Sequence, residues 1–370
     1  MGSEWGQTHS DPMTSDLIPR LCAILRGDST DLPAGEDGER LLELARRHRV
    51  DRLVAHRLRH GPTVELRREV LVDELSLREL TRVLAALETV GATPLVFKGA
   101  ALAHTHYPAS WLRPRLDADI LVAADRRRQA FEALRDLGYG QPPFVSGDLV
   151  MYQAPFMRTD DIGLVHAQDV HWRIANPQVI AQVLTHEELV ARATTVSALG
   201  CPMRVPSAVD ALVLACLHRA AHHNDAEDLL WLYDIHLIAS RLNPDEGRRL
   251  VELASERSVK ALCARGLRLS IEHFHTVVPA DLIAQLTPGT GARREPSAVF
   301  LKKDLRAIDR LAADLRAVGP VAGARLVREH LFPPADYMGQ AYGVRSRALL
   351  PAYYAMRVVT GVSKWFARTR

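Results

Sequence analysis

The apolar positions of this chain change their period along its length. From residue 64 to residue 90, Leu66, Val70, Leu71, Leu75, Leu77, Leu80, Val83, Leu84 and Leu87 recur at near-helical spacing. Gly91 stands where a C-cap belongs, so a long amphipathic helix is expected there. Leu41, Leu42, Leu44 and Ala45 give a shorter helical face ahead of it. Pro94-Leu95-Val96-Phe97 is then a compact apolar run closed by Lys98-Gly99, which reads as a buried strand, with Ala100 to His106 as a helix or turn. Arg115 to Val122 alternates: Arg115, Asp117, Asp119 and Leu121 share one face, Leu116, Ala118, Ile120 and Val122 the other. Asp125 is placed to N-cap a helix that runs to about Leu137 and stops at Gly138. Strands over about 150–157 and 164–174 flank a hairpin turn at Thr159-Asp160-Asp161-Ile162-Gly163.

From Pro206 onward the spacing is helical. Helices are expected over about 207–222, 228–239, 245–275, 302–317 and 349–366, with a loop or linker at 287–296. The strands cluster between two helical stretches and do not alternate with helices along the whole chain, which is the α+β pattern. The expected division is a disordered tail at 1–16, an N-terminal helical region at 17–91, an α/β core at 92–205 and a helical C-terminal domain at 206–370.

Composition narrows the classes. A chain of 370 residues with 47% hydrophobic and 25% charged residues is globular, not disordered or fibrous. Lys and Arg number 47 against 44 Asp and Glu, so the basic excess of a nucleic-acid-binding protein is missing and no nucleic-acid partner is expected. Cys22, Cys201, Cys216 and Cys263 are scattered and form no CxxC, which argues against a disulfide framework or zinc ribbon and fits a reducing compartment. Residues 1–16 lack a signal peptide's apolar segment, and no apolar run reaches the ~20 residues of a membrane helix. A cytoplasmic protein without a membrane span is expected.

The candidate chemistry begins with Asp117-Ala118-Asp119. On a strand these two carboxylates point the same way, about 7 Å apart. Like charges on a half-buried face repel, and a divalent cation relieves both the repulsion and the desolvation. Magnesium suits one or two carboxylates, with water and substrate phosphates completing its shell. The plain alternative is a solvated strand end. The later strand places Asp169, His171 and Arg173 on one face. A third carboxylate there completes what metal-assisted phosphoryl transfer needs. Asp169 alternatively forms an edge salt bridge, and His171 is either a cofactor-binding residue or a packed histidine. Lys98-Gly99, between a strand and a helix, offers a charge and an open backbone to a phosphate. Arg113 and Arg115 are candidates to hold phosphate oxygens, or to pair with Asp117 and Asp119 without a metal. His218 and His222 share a helix face beside His223; with Asp228 or Asp234 they are a candidate zinc or iron site, but lining a cleft is the favoured reading. The last helix, with Arg357, Lys364, Arg368, Arg370, Tyr353, Tyr354, Trp365 and Phe366, packs on its own domain by default; a membrane surface or acidic partner is the alternative.

Together these residues resemble the DNA polymerase beta-like nucleotidyltransferase superfamily, and more closely the uncharacterised bacterial nucleotidyltransferases of group five. The resemblance rests on Leu95 to Tyr107, Arg115 to Val122, Leu137-Gly138-Tyr139, Asp169 to Ile174, Leu217 to Asp234 and Leu331-Phe332-Pro333, and runs from about residue 36 to the C-terminus. It implies a mixed-sheet nucleotidyltransferase core, Mg²⁺ or Mn²⁺, and an NTP such as ATP as substrate. Asp117, Asp119 and Asp169 then become metal ligands and catalytic residues, with Lys98 and Gly99 as the phosphate turn. The acceptor implied is a small molecule or peptide in a natural-product or modification pathway. Glycosyl transfer from a nucleotide sugar, or a non-catalytic binding module, are the alternatives. Two departures stand out: Ala100 replaces the usual serine after glycine, and the interval from Gly99 to Asp117 is longer than the superfamily's.

Overall fold

A computed structural model describes residues 16–59, 61, 63–142, 147–287, 295–344 and 346–366. The expected tail therefore lies outside the described residues up to residue 15, as do 288–294 of the expected linker and Arg368 and Arg370 of the last helix. Helices α1 (Leu17–Arg26), α2 (Glu36–Arg47), α3 (Asp51–Arg57) and α4 (Val64–Thr89) come first. The Thr63 side chain accepts the Leu66 N–H and starts α4. Strand β1 (Leu95–Phe97), α5 (Lys98–Thr105), β2 (Ala118–Leu121), α6 (Arg127–Asp136), β3 (Gln153–Thr159) and β4 (Val165–His171) follow. The sheet order is β1-β2-β4-β3, with β2 and β4 parallel and the other pairs antiparallel.

The period-2 alternation sorts the core. Leu95, Phe97 and Leu121 face one hydrophobic cluster, built with α1–α3 and the C-terminal helices. Val96, Ala118, Ile120, Ala154, Phe156 and Val170 face a second, roofed by α4 and α6. The first three helices are thus shared packing partners of the C-terminal half: Leu21, Leu25 and Val54 lie in one core with Leu232, Leu262 and Leu267.

After the sheet come α7 (Gln178–Ala181), α8 (His186–Ala191) and the hairpin β5 (Thr194–Ala198) and β6 (Cys201–Val205). The hairpin went unread in the sequence, because β5 is mostly exposed and carries no clean apolar alternation. Helices α9 (Ala208–His222), α10 (Leu229–Ala239), α11 (Pro244–Glu256), α12 (Lys260–Phe274), α13 (Leu282–Leu286), α14 (Ala307–Leu331), α15 (Ala335–Tyr342) and α16 (Leu350–Phe366) complete the chain. The fold is α+β, as expected. Among the described residues no helix is long and apolar enough to cross a membrane.

Several boundaries differ from the sequence reading. The helix expected over 245–275 is two, because Ser258 takes a left-handed φ of 55° between α11 and α12. The helix expected to end at 317 runs to Leu331, broken at Gly319 with φ 76° just before Pro320. Asp125 sits inside a 3₁₀ turn and caps nothing. Strand β2 begins only at Ala118, so Leu116, assigned to the apolar face, is 92% exposed.

Candidate active site

The cleft-facing side of β2 and β4 collects the acids. Because these strands are parallel and in register, Asp119 lies directly beside Asp169, and both side chains leave the same face of the sheet. Asp117 precedes β2 and opens onto the same cleft, a cavity of about 630 Å³ between the sheet with α5 and the C-terminal helices. Lys98, Gly99, Arg113, Arg115, Asp117, Asp119 and Asp169 all line it. The structure brings every sequence-predicted site residue except His171 to the cleft wall. His171 lies fully buried just behind, in contact with Asp119.

Asp119 is the hub. Its Oδ1 accepts the Lys98 Nζ at 2.6 Å and the His171 Nε2 at 2.8 Å. Burial alone would raise its pKa, but the Lys98 charge and the hydrogen bond from His171 outweigh burial and hold it far below the usual carboxylate range. An ionised carboxylate only accepts, so His171 carries its proton on Nε2. Its Nδ1 is then a bare, buried acceptor without a partner among the described residues. Burial, and after it Lys98, hold the imidazole neutral. Phe97 sets the ring edge-on at 4.9 Å between centroids.

Asp117 and Asp169 are under-compensated. Asp169 accepts one hydrogen bond, from Gln153 Nε2 at 2.7 Å; its pKa is raised by burial and, against the pull of His171, by Asp119. Asp117 has no hydrogen bond or ion pair among the described residues. Asp117 is exposed to the cleft; the protein crowded around its carboxyl, followed by the Asp119 and Asp169 charges, pushes it up to about 7. Three carboxylates therefore share a single ammonium. One ligand atom each from Asp119, Asp169 and His171 come within 4.8 Å of one another, a spacing on which a metal ion can sit.

Lys98 opens α5 with a left-handed φ of 54°, a conformation that a non-glycine residue adopts only under local constraint. It aims the ammonium back at β2. Gly99 also has a packing reason to be glycine. A Cβ there would stand 3.3 Å from the Arg113 Nη1, so its absence lets a guanidinium lie against the turn.

The two arginines are engaged by neither Asp117 nor Asp119. Arg113 is buried and clamps Asp234 of α10, with Nε to Oδ1 at 2.9 Å and Nη2 to Oδ2 at 2.8 Å; Tyr107 donates to the same carboxylate at 2.7 Å. Arg115 pairs with Asp73 of α4 at 2.6 Å. Both guanidiniums thus tie the strand that carries the acids to flanking helices. Asp228 caps α10 and pairs with Arg49, so neither aspartate joins the histidines. His218, His222 and His223 line the cleft on the α9 side, together with Trp231. Gln153, Arg49 and Trp231 were missed in the sequence. Gln153 stands opposite His171 in the β3–β4 register, so its face follows from alternation once that pairing is known.

The family model for an uncharacterised nucleotidyltransferase matches residues 34–275, about two thirds of the chain. No curated protein matches it.

Proposed function

Since this chain belongs to that uncharacterised nucleotidyltransferase family, we propose that it moves a nucleotidyl group from a metal-bound NTP to a small-molecule or peptide acceptor. The observation that carries the reading is the cluster of three carboxylates against one lysine. Asp119 and Asp169 stand in register on parallel strands, and Asp117 is unpaired beside them. This donor set fits a divalent cation: the hard carboxylate oxygens suit Mg²⁺ or Mn²⁺. Asp117, Asp119 and Asp169 would hold it, and it would supply charge neutralisation at the phosphates and a more acidic attacking group.

The chain's own residues then divide the work. Asp119 would face the cation, and Lys98 would offer its ammonium to the triphosphate at the start of α5, where the first N–H groups have no side-chain cap. His171 holds the Asp119 carboxylate in position through Nε2. Arg113 and Arg115 position the strand instead of binding phosphate, because Asp234 and Asp73 occupy them. Asp169, raised by burial, is placed to receive the proton of the acceptor nucleophile. We assign nucleotide handling to 92–205 and the acceptor side of the cleft to the helices after residue 206.

The test incubates purified protein with each labelled NTP, Mg²⁺ and a panel of acceptors. Pyrophosphate release matched by a labelled adduct supports transfer. An adduct-free panel in which no NTP binds in the presence of Mg²⁺ or Mn²⁺ refutes it.

A further inference from the structure

The wall opposite the acids lies on the acceptor side of the cleft, but the mechanism gives none of its side chains a part. Helix α9 puts His218 and His222 one turn apart on one face, with His223 beside them; the His218 ring lies 5.2 Å from His222 and 4.6 Å from His223. His218 Nε2 and His223 Nε2 are 3.0 Å apart. Two further nitrogens, His218 Nδ1 and His222 Nε2, are buried without any partner among the described residues. Trp231 stacks on His223 at 3.6 Å, and Arg49 lies over the same indole at 4.6 Å, so the wall is braced from behind.

Three imidazoles usually raise the question of zinc. The charges around them decide against it. Lys98 from α5, Arg49 from the α2–α3 junction and Arg113 from the segment before β2 all act on the cluster as cations. Among the acids, Asp228 is taken by Arg49, Asp234 by Arg113 and Asp119 by Lys98 and by His171 of β4. Asp119 acts on His222 as a counter-charge, behind burial and the Lys98 charge. Burial first, and these cations after it, hold all three histidines neutral, with His222 and His223 down to about 3. A cation entering this wall meets carboxylates that are already engaged, Asp228 and Asp234, while the under-compensated Asp117 and Asp169 stand with the acids across the cleft. An anion meets imidazole N–H donors and two nitrogens that have no other partner among the described residues.

We propose that His218, His222 and His223 form an oxyanion-docking wall that receives the phosphate or carboxylate of the acceptor. This rests on the transfer reading above and narrows the acceptor to an anionic compound. The anion brings the negative charge that the cluster lacks, so its arrival favours protonation of at least one imidazole, and binding takes up a proton.

Sulfate is the first probe, because its charge does not change across the pH range used. Calorimetry on the metal-free protein should show sulfate binding that strengthens from about pH 8 to about pH 6, with proton uptake revealed by buffers of different ionisation heat. His218→Asn and His222→Asn should each weaken sulfate by about tenfold or more, and Lys98→Ala by less. Inorganic phosphate tighter than acetate assigns a phosphorylated acceptor; the reverse assigns a carboxylate. Should a variant fail to fold, protection of the wild-type histidines by sulfate from diethylpyrocarbonate, read by mass spectrometry, gives the same answer. Histidine variants that bind sulfate like the wild type overturn the proposal, as does absence of sulfate binding, a site lost only in Lys98→Ala, or stoichiometric Co²⁺ bound by these histidines. Binding of Mg²⁺–NTP is followed separately. Its absence from wild-type protein that still binds sulfate would break the transfer reading and leave the anion wall standing.

Discussion

The two faces of the small sheet treat their acids in opposite ways. On the α4 side, Glu79 is bound by Arg158 through Nε and Nη2, both at 3.0 Å, and by the Tyr139 hydroxyl at 3.0 Å. Burial alone would raise Glu79, but these hydrogen bonds outweigh it and its pKa is lowered. Gln168 extends the network to Tyr139 from the β4 position next to Asp169. On the cleft side, one residue further along β4, Asp169 joins Asp117 and Asp119 against Lys98 alone. The lesson is one of stoichiometry. A carboxylate matched by the protein's own cations completes the fold, whereas a carboxylate cluster left short of positive charge is completed from outside.

The comparison is broken most directly by exchanging charge for amide on each face. Asp119→Asn should reduce transfer about a thousandfold, roughly 4 kcal/mol of transition-state stabilisation. It should also destabilise the metal-free protein by up to about 3 kcal/mol, because Lys98 loses its buried partner. Glu79→Gln should cost about 2 kcal/mol of stability and leave nucleotide and metal affinity unchanged. Denaturant melts beside steady-state rates check this; equal activity losses on the two faces would abolish the distinction.

Metal sharpens it further. Mg²⁺ at a hundredfold excess over its dissociation constant should stabilise the wild type by about 2.7 kcal/mol. The gain should disappear in Asp169→Asn and persist in Glu79→Gln. Thermal melts with and without Mg²⁺ read this, and an Mg²⁺ gain retained in Asp169→Asn would remove that residue from the site.

The smallest effect is one of pH. Asp117 is raised to about 7 in the folded protein from an unfolded value near 3.9. Between those values the folded state binds the extra proton, so this residue favours folding at low pH and loses that contribution as pH rises through 7. Metal-free protein should therefore become less stable from about pH 5 to about pH 8, and Asp117→Asn should flatten that slope. Denaturation midpoints across the range decide it; an unchanged slope in the variant would show that Asp117 is already ionised.

The local sequence determined a good deal of this. The period-2 alternation at Ala118 to Val122 and at Asp169 to His171 placed the acids on one face, because neighbouring side chains on a strand must point to opposite sides. The long apolar repeat that became α4, the glycine stop at Gly91 and the α+β order were legible for the same reason: they depend on neighbours in sequence. Tertiary structure decided the rest. Arg113 stands four residues before Asp117 in the chain, yet its partner is Asp234, 121 positions away. Arg115 answers to Asp73 and Lys98 to Asp119, and no local pattern announces either choice. The parallel register that sets Asp119 beside Asp169, and the packing of α9 that carries its histidines across the cleft, likewise join segments far apart in sequence. Periodicity shows which way a side chain faces. What it meets there depends on how the segments pack, and in this site the pairing of charges, not their presence, separates the positioning arginines from the acids left open for a cation.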